Sequence, residues 1–200
     1  MGNSNLKPEK AINWDVGFSF RLYDRWYLKN FRFEYAYFES RVDDLIIFIQ
    51  NSQRTSIAMN ISKAQIRGHE LSWFMNLGNN INISGNYTSQ DAIDKGEIPY
   101  WRDNRLPNRP KYELFSRIQF YNRYGMLYHE YTSMCDNYRD RANHSKVGKR
   151  EIHNIGLSLF LARDITLTFE VKNIFDKMYE DVLGYPLPGR AYFTTISWNL

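Results

Sequence analysis

The residues that could perform catalysis or bind a metal are few, and their spacing suits neither task. The four histidines, which do not share the spacing of metal ligands, are His69, His129, His144 and His153. Cys135 is the only cysteine, which excludes an internal disulfide and a cysteine-built zinc site. Asp43 and Asp44 are neighbours, and neighbouring side chains of a strand point to opposite faces rather than forming an acid–base pair. Phosphate-binding glycine motifs and nucleophile elbows do not occur. The sequence therefore predicts no enzyme, no metal site and no cofactor.

Two groups of basic residues offer another chemistry, and the first of them combines charge with stacking platforms. The first group is Arg102, Arg105, Arg109 and Lys111 around Tyr100, Trp101 and Tyr112, and the second is Arg139, Arg141, Lys146, Lys149 and Arg150. The net charge of +4 is a mild surplus that is compatible with nucleic-acid binding but does not indicate it. Recognition of an anionic ligand and plain solvated loops are both consistent with these residues.

Alternating apolar and polar residues predict β-strands along most of the chain. The first run places one set of apolar residues on a single parity: Trp14, Val16, Phe18, Phe20 and Leu22. Similar runs occupy residues 31–37, 71–75, 81–88, 112–120, 155–161, 165–171 and 192–200, whereas residues 126–138 alternate less clearly. The pattern predicts an all-β protein, an antiparallel meander of about nine strands.

The connections between these strands alternate in length. Short links are predicted at 23–30, 76–80, 122–125 and 162–164, and long links at 51–60, 91–109, 139–151 and 173–189. This alternation places every short turn at one edge of the sheet and every long loop at the other. Outer-membrane β-barrels have the same layout.

Composition leaves two environments open for the apolar face. The mean hydropathy is −0.58 and the longest apolar run is Leu45–Ile49, which excludes helices that span a membrane but not strands that do. Aromatic residues make up 16% of the chain and stand near the predicted strand ends, as interfacial girdles require. The alternative is a soluble all-β binding module of the carbohydrate-binding type, with exposed Trp and Tyr stacking on sugars.

The C-terminal region carries a specific resemblance. Asn173-Ile174-Phe175-Asp176-Lys177-Met178-Tyr179 and Gly184-Tyr185-Pro186-Leu187-Pro188-Gly189-Arg190, followed by a last alternating strand, resemble the C-terminal region of TonB-dependent outer-membrane receptors. Upstream segments that resemble the same family are Leu6–Glu9, Asp44–Ile46, Ala64–Leu71 and Leu106–Pro110. The final residue, Leu200, stands where such barrels usually end in Phe or Trp. The motif residues expected to be structural are Asn173, Phe175, Asp176, Tyr179, Gly184, Tyr185, Pro186, Pro188, Gly189 and Arg190.

The resemblance implies part of the wall of a 22-stranded transmembrane β-barrel in the outer membrane of a Gram-negative bacterium. Residues 1–200 are expected to form the C-terminal part of the barrel domain, without the plug, the TonB box or a signal peptide. Such receptors import a scarce nutrient of the ferric siderophore, cobalamin or haem type. The implied partners are outer-membrane lipid, TonB through the missing plug, and a small-molecule or metal-chelate ligand, with no nucleic acid.

The same resemblance places the long loops outside the cell, where they would contact the ligand. The implied ligand contacts are Tyr100, Trp101, Arg102, Arg105, Tyr138, Arg139, Arg141 and Tyr185. The polar parity of the strands is expected to face the barrel lumen; its charged members are Arg21, Arg32, Glu34, Glu113, Arg117, Glu170 and Lys172.

Overall fold

A computed structural model describes residues 3–50, 55–182 and 184–198, and within these ranges the chain contains β-strands, turns and loops. Nine strands form one antiparallel sheet: β1 (Lys10–Arg25), β2 (Leu28–Gln50), β3 (Ser56–Leu77), β4 (Ile81–Asp94), β5 (Tyr112–Asn122), β6 (Gly125–Cys135), β9 (Arg150–Ala162), β10 (Ile165–Lys172) and β13 (Ala191–Trp198). Two small hairpins lie beside this sheet: β7 (Asn137–Tyr138) with β8 (Lys146–Val147), and β11 (Glu180–Val182) with β12 (Tyr185–Pro186). The predicted all-β meander of about nine strands is confirmed. Leu200 lies outside the described residues.

The sheet order follows the chain order, so each strand pairs with its predecessor through a hairpin. The turns are short after β1, β3, β5 and β9, and one of them contains Gly78, whose φ of 57° favours glycine. The long connections after β4, β6 and β10 all lie at the opposite edge. We call these two sides the turn edge and the loop edge. No helix that could cross a membrane occurs in the described ranges.

The two faces of the sheet differ in polarity. On the apolar face, Val16 is 60% exposed and Phe18 is 59% exposed, although both are large hydrophobic side chains. On the polar face, Arg117 pairs with Glu130 at 3.3 Å, and the Tyr128 hydroxyl donates a hydrogen bond to Glu170 at 3.1 Å. No second layer covers the apolar face within the described part of the chain. An apolar face without a covering layer suits contact with lipid.

Aromatic rings form a row across the apolar face near the loop edge. Trp14 of β1 packs against Tyr37 of β2, with ring centroids 5.3 Å apart, and Tyr37 packs against His69 of β3 at the same distance. Tyr87 and Tyr112 stack further along the row at 6.4 Å. These strands differ in sequence position by tens of residues, and antiparallel pairing brings the rings to one level. The row has the position of an interfacial girdle.

A small core lies at the loop edge, where β2 ends at Gln50 as predicted and β3 begins earlier than predicted. The predicted connection over 51–60 is too long, because β3 begins at Ser56. Buried Val42 and Leu45 are three positions apart, so strict alternation reverses between them, and Asp44 has a positive φ of 55° there. The reversal gathers the buried apolar cluster Val42, Leu45, Ile47, Ile61, Ala64, Ala92 and Leu106. The Asp44–Ile46 segment lies within β2, which continues to Gln50.

The orientation of the sheet can be tested in β10. Leu167 lies on the apolar face opposite Leu159, and an arginine there would enter hydrocarbon. We expect Leu167→Arg to lower the free energy of unfolding in lipid vesicles by up to about 2–4 kcal/mol, which is the cost of an arginine at the bilayer midplane. The matched control is Thr166→Arg on the polar face, for which we expect a much smaller effect. Equal losses for the two variants would contradict the assignment of the faces.

Candidate functional site

Three long loops lie together at the loop edge. They are loop A (95–111), loop B (136–149) and loop C (173–190), named here for the connections after β4, β6 and β10. Loops A and B are joined by backbone contacts, since the amide of Asn108 donates to the carbonyl of Tyr138 at 2.8 Å. Loops B and C are joined through Arg139, which donates to the carbonyl of Glu180. The loops therefore form one connected surface.

A buried ion pair joins loop B to the end of β4, where loop A begins. The Arg141 guanidinium donates through Nε to Oδ2 of Asp94, the last residue of β4, at 2.6 Å. The two side chains are 8% and 1% exposed. The amide of Gly96 donates to the other carboxylate oxygen at 2.8 Å, so both oxygens of Asp94 have partners. The Cζ atom of Arg141 also lies 4.1 Å from the centre of the Trp101 ring, a cation–π distance.

Arg105 and Asn143 make a second link between the same loops. Asn143 exchanges two hydrogen bonds with the backbone of Arg105, at 2.7 Å from its amide and 2.8 Å to its carbonyl. The Arg105 side chain turns back to β4, where Nη1 lies 3.1 Å from Asp91 and Nη2 donates to the carbonyl of Gln90 at 3.0 Å. The backbone and the side chain of Arg105 are thus both used in holding loop A.

Loop B reaches loop C through Arg139. Its guanidinium donates to the carbonyls of Glu180 at 2.5 Å and Asp181 at 3.2 Å, both in strand β11 of loop C. Arg150, at the start of β9, forms an ion pair with Asp181. These bonds fix the position of the β11–β12 hairpin.

Asn173 organises the beginning and end of loop C. It is 4% exposed and has a positive φ of 51°. Its side chain donates to the carbonyls of Lys177 at 2.9 Å and Pro188 at 3.4 Å and accepts from the Lys177 amide at 3.2 Å. Its own amide donates to the side chain of Asn154 at 3.0 Å. The two halves of the C-terminal motif are therefore tied to one asparagine.

Other motif residues complete this arrangement. Oδ1 of Asp176 accepts the Arg190 amide at 2.7 Å, and a Cβ at Gly189 would lie only 2.8 Å from the same oxygen. The Tyr179 hydroxyl donates to the carbonyl of Glu151 at 2.6 Å. The ring of Phe175 packs edge-on against His153, with centroids 5.0 Å apart. Asp176, Tyr179, Phe175 and Gly189 each make a contact that depends on the residue type, whereas Arg190 contributes its backbone amide.

The residues predicted to contact a ligand fall into two sets. Arg105, Arg139 and Arg141 use their guanidinium groups in contacts between loops, and Trp101 lies beside Arg141. Tyr138 is half-buried, and it belongs to the β7–β8 hairpin. The exposed set is Tyr100, 87% exposed, Tyr185, 63% exposed, and Arg102. A role in ligand binding stays a prediction for both sets.

Sequence reasoning missed Asp94 and Asn143. Asp94 binds Arg141 of loop B, and Asn143 binds the backbone of Arg105 in loop A. Arg141 is 47 positions from Asp94, and nothing in the spacing pairs them. Asn143 precedes His144-Ser145 in a glycosylation-like triplet, a pattern unrelated to its role here. The one available signal is the residue type, because Asp and Asn stabilise turns through side-chain bonds to the backbone.

An exposed ion pair within loop B gives a prediction on pH. Lys146 lies 2.6 Å from Asp136 and holds the pKa of Asp136 below its ordinary value of 3.8, while Asp136 raises the pKa of Lys146 above 10.5. The stabilisation that this ion pair gives to the folded protein should therefore be complete between pH 3.8 and pH 10.5. It should be lost as the pH falls through the lowered pKa of Asp136 or rises through the raised pKa of Lys146.

The effect should be small, since both side chains are more than a third exposed and screened by water. The measurement is the difference in free energy of unfolding between the wild-type protein and Lys146→Gln across the acid range. We expect the difference to shrink as the pH falls below 3.8. A difference that stays constant into strong acid would contradict this pairing.

The chain is similar to known proteins over nearly its whole length. The family model described as TonB dependent receptor-like, beta-barrel matches residues 1–174. The chain is 27% identical over 204 residues to the vitamin B12 transporter BtuB of Photobacterium profundum, covering 99% of this chain and 31% of that protein.

Solved structures agree on the fold. The siderophore receptor PiuA from Acinetobacter baumannii superposes with a TM-score of 0.79 at 17% identity, covering 98% of this chain and 29% of that one. The unliganded ferric citrate transporter FecA has a TM-score of 0.78 at 18% identity, with 96% and 31% covered. The chain thus spans about a third of the length of the proteins it matches.

Proposed function

Since the chain belongs to the TonB-dependent receptor-like β-barrel family, we propose that it forms the C-terminal part of the barrel of a receptor that imports a scarce nutrient. Members of this family are β-barrel proteins of the outer membrane of Gram-negative bacteria. The outer membrane is therefore the location of this chain. The observation that supports the proposal is the combination of two features. Long loops at one edge of the sheet are held together by contacts such as Arg141 with Asp94, and large hydrophobic side chains are exposed on one face of the sheet. The soluble carbohydrate-binding alternative does not account for that face.

The proposed ligand is a small molecule or metal chelate of the ferric siderophore, cobalamin or haem type. Exposed Tyr100 and Tyr185 offer stacking surfaces, and Arg102 offers charge to an anionic group. Trp101 also lies in loop A, where its ring contacts Arg141. We assign Arg105, Arg139 and Arg141 to positioning these loops, since their guanidinium groups are engaged within the protein.

Energy for uptake would come through TonB, which would act on a plug in the lumen of the complete barrel. Residues 1–200 would supply barrel wall to that assembly. The relatives are transporters and receptors, which supports a role without catalysis. The polar face, with pairs such as Arg117 and Glu130, would line the lumen.

Uptake by cells that depend on the receptor carrying this chain tests the proposal. Labelled cobalamin, ferric siderophores and haem would be supplied one at a time, with and without an uncoupler of the proton gradient. We expect uptake of one of these classes, and we expect the uncoupler to abolish it. Energy-independent uptake, or no uptake of any class, would count against a TonB-dependent transporter.

The loop surface can be tested in the same cells with matched variants. Tyr100→Ala combined with Arg102→Gln should weaken ligand binding about tenfold or more, because it removes one stacking contact and one charge-assisted hydrogen bond. The control is Tyr124→Ala with Arg123→Gln, an arginine–tyrosine pair at the turn edge whose Cζ-to-centroid distance is 4.5 Å. Equal loss in both double variants would refute a ligand site on loop A.

A further inference from the structure

Two histidines that are far apart in the sequence meet on the apolar face of the sheet. Nε2 of His129 in β6 lies 3.1 Å from Nδ1 of His153 in β9, and both side chains are half-buried. The strand register brings them together, because His129 pairs with Ile155 and Tyr131 pairs with His153. Their separation of 24 positions in the sequence does not indicate a metal site, whereas the register places two imidazole nitrogens side by side.

The histidine pair lies between the apolar part of this face and loop B. On its turn-edge side, exposed Leu127 and Leu157 pair across the same two strands and share the parity of the histidines. On its loop-edge side, β6 ends at Cys135, where loop B begins. The two imidazoles therefore stand near the boundary of the hydrocarbon, where ions in the water above the loop edge can reach them.

Neighbouring side chains hold the His153 ring in place. The ring of Tyr131 packs against it with centroids 4.7 Å apart, and the ring of Phe175 packs edge-on at 5.0 Å. The Tyr131 hydroxyl donates to Glu151 at 2.9 Å, and Glu151 also pairs with Lys149 at 2.6 Å. The position of the ring is thus set by the protein before any ligand binds.

The distance between the two nitrogens suits a shared metal ion. Imidazole nitrogens bind Zn²⁺ at about 2.0–2.1 Å, so two of them 3.1 Å apart would subtend about 100° at one ion, between the octahedral and tetrahedral angles. Without a metal, the same two atoms share a hydrogen bond in which one ring donates and the other accepts. Coordination needs both facing nitrogens unprotonated, so each neutral ring would carry its proton on its other nitrogen.

We propose that His129 and His153 form a two-histidine site for a divalent transition-metal ion of the Zn²⁺, Ni²⁺ or Cu²⁺ type, the ions that imidazole ligands favour. Three or more His, Cys, Asp or Glu ligands do not come together anywhere in the described ranges, so water would complete the coordination shell. The ion would join β6 to β9 at the base of loop B, and His153 would extend that link to Phe175 of loop C. The inference does not depend on which nutrient the receptor imports.

Metal titration of the complete receptor that carries this chain tests the proposal. The receptor, without a polyhistidine tag, would be purified in detergent, freed of metal with a chelator and titrated with Zn²⁺ by calorimetry. His129→Gln and His153→Gln should each weaken one Zn²⁺ site by about tenfold or more, since even the loss of an outer-shell partner of a metal ligand costs about 10–100-fold. The control His69→Gln with His144→Gln also removes two histidines, of which His69 is bonded to Tyr35, and should leave Zn²⁺ binding unchanged. Ca²⁺ should not compete, because it prefers oxygen ligands.

A spectroscopic measurement reports the ligands themselves. Electron paramagnetic resonance of the wild-type receptor loaded with Cu²⁺ should show a centre with two imidazole nitrogens, and either single variant should lose it. The absence of imidazole coordination from the wild-type spectrum would overturn the proposal. So would unchanged Zn²⁺ affinity in both single variants that keep their heat-modifiable migration on gels, which reports folding. Neither readout measures nutrient uptake, so failure here is distinct from failure of the proposed transport function.

Discussion

Replacement of Arg141 by methionine is expected to lower the free energy of unfolding by about 3–5 kcal/mol. The variant leaves the carboxylate of Asp94 buried without its cation, and Asp94 is 1% exposed. It also removes the cation from the Trp101 ring, 4.1 Å away. The first consequence is the larger, because a buried charge without a partner keeps its desolvation cost and loses its compensating attraction. The measurement is urea unfolding of the protein in lipid vesicles.

A neighbouring ion pair provides the control. Lys95 lies 2.5 Å from Asp103 in loop A, but these side chains are 41% and 63% exposed. Exposed pairs of this kind contribute less than about 1 kcal/mol, so Lys95→Met should be nearly neutral. Combining Arg141→Met with Asp94→Asn should recover part of the loss, since the stranded charge is removed. If Arg141→Met is as mild as Lys95→Met, the buried pair does not hold the loops.

Cleavage by chymotrypsin extends this test from stability to structure. Tyr100 and Trp101 lie in loop A, and Arg141 fixes that loop against loop B. We expect faster cleavage at these aromatic residues in Arg141→Met than in Lys95→Met. This result would link the buried pair to the geometry of the proposed ligand surface.

Alternation in the sequence was sufficient to predict the sheet, its meander order and its two edges. The reason is physical: a sheet with one apolar and one polar face must alternate residue by residue, as Trp14–Leu22 does. The predicted connection over 51–60 was wrong, because the regular alternation of apolar and polar residues ends before it. Beyond Asp44, residues of β2 and β3 contribute to the small buried cluster at the loop edge. Their buried side chains do not keep the alternation that places apolar residues on the lipid-facing side of the sheet.

The loop contacts could not be predicted in the same way. Arg105, Arg139 and Arg141 have the residue type expected of an anion-binding loop, and type alone does not show whether a guanidinium is already paired. Asp94 pairs with Arg141 only because β4, β5 and β6 bring two distant loops to one edge. The resemblance of the C-terminal motif was more informative, because residues such as Asn173 and Gly189 are tied to a particular backbone geometry.

That geometry gives the second large prediction, which concerns Asn173. Its φ of 51° lies in the left-handed region, and its buried side chain binds both the amide and the carbonyl of Lys177. Alanine would lose the two hydrogen bonds to Lys177, each with a net contribution of about 0.5–1.5 kcal/mol, and would add about 1–2 kcal/mol of backbone strain. We expect Asn173→Ala to lower the free energy of unfolding by about 3 kcal/mol, which is close to the middle of the summed range.

Glycine at the same position separates the two causes. Asn173→Gly loses the same side-chain bonds, but glycine adopts positive φ without the steric penalty, so it should be about 1 kcal/mol less damaging than alanine. Both variants should also expose loop C to proteases, because Asn173 ties Lys177 to Pro188 across that loop. If alanine and glycine were equally tolerated and loop C stayed protected, Asn173 would not be the residue that closes the motif. Loop C leads directly into β13, so its loss of order would reach the last described strand of the sheet.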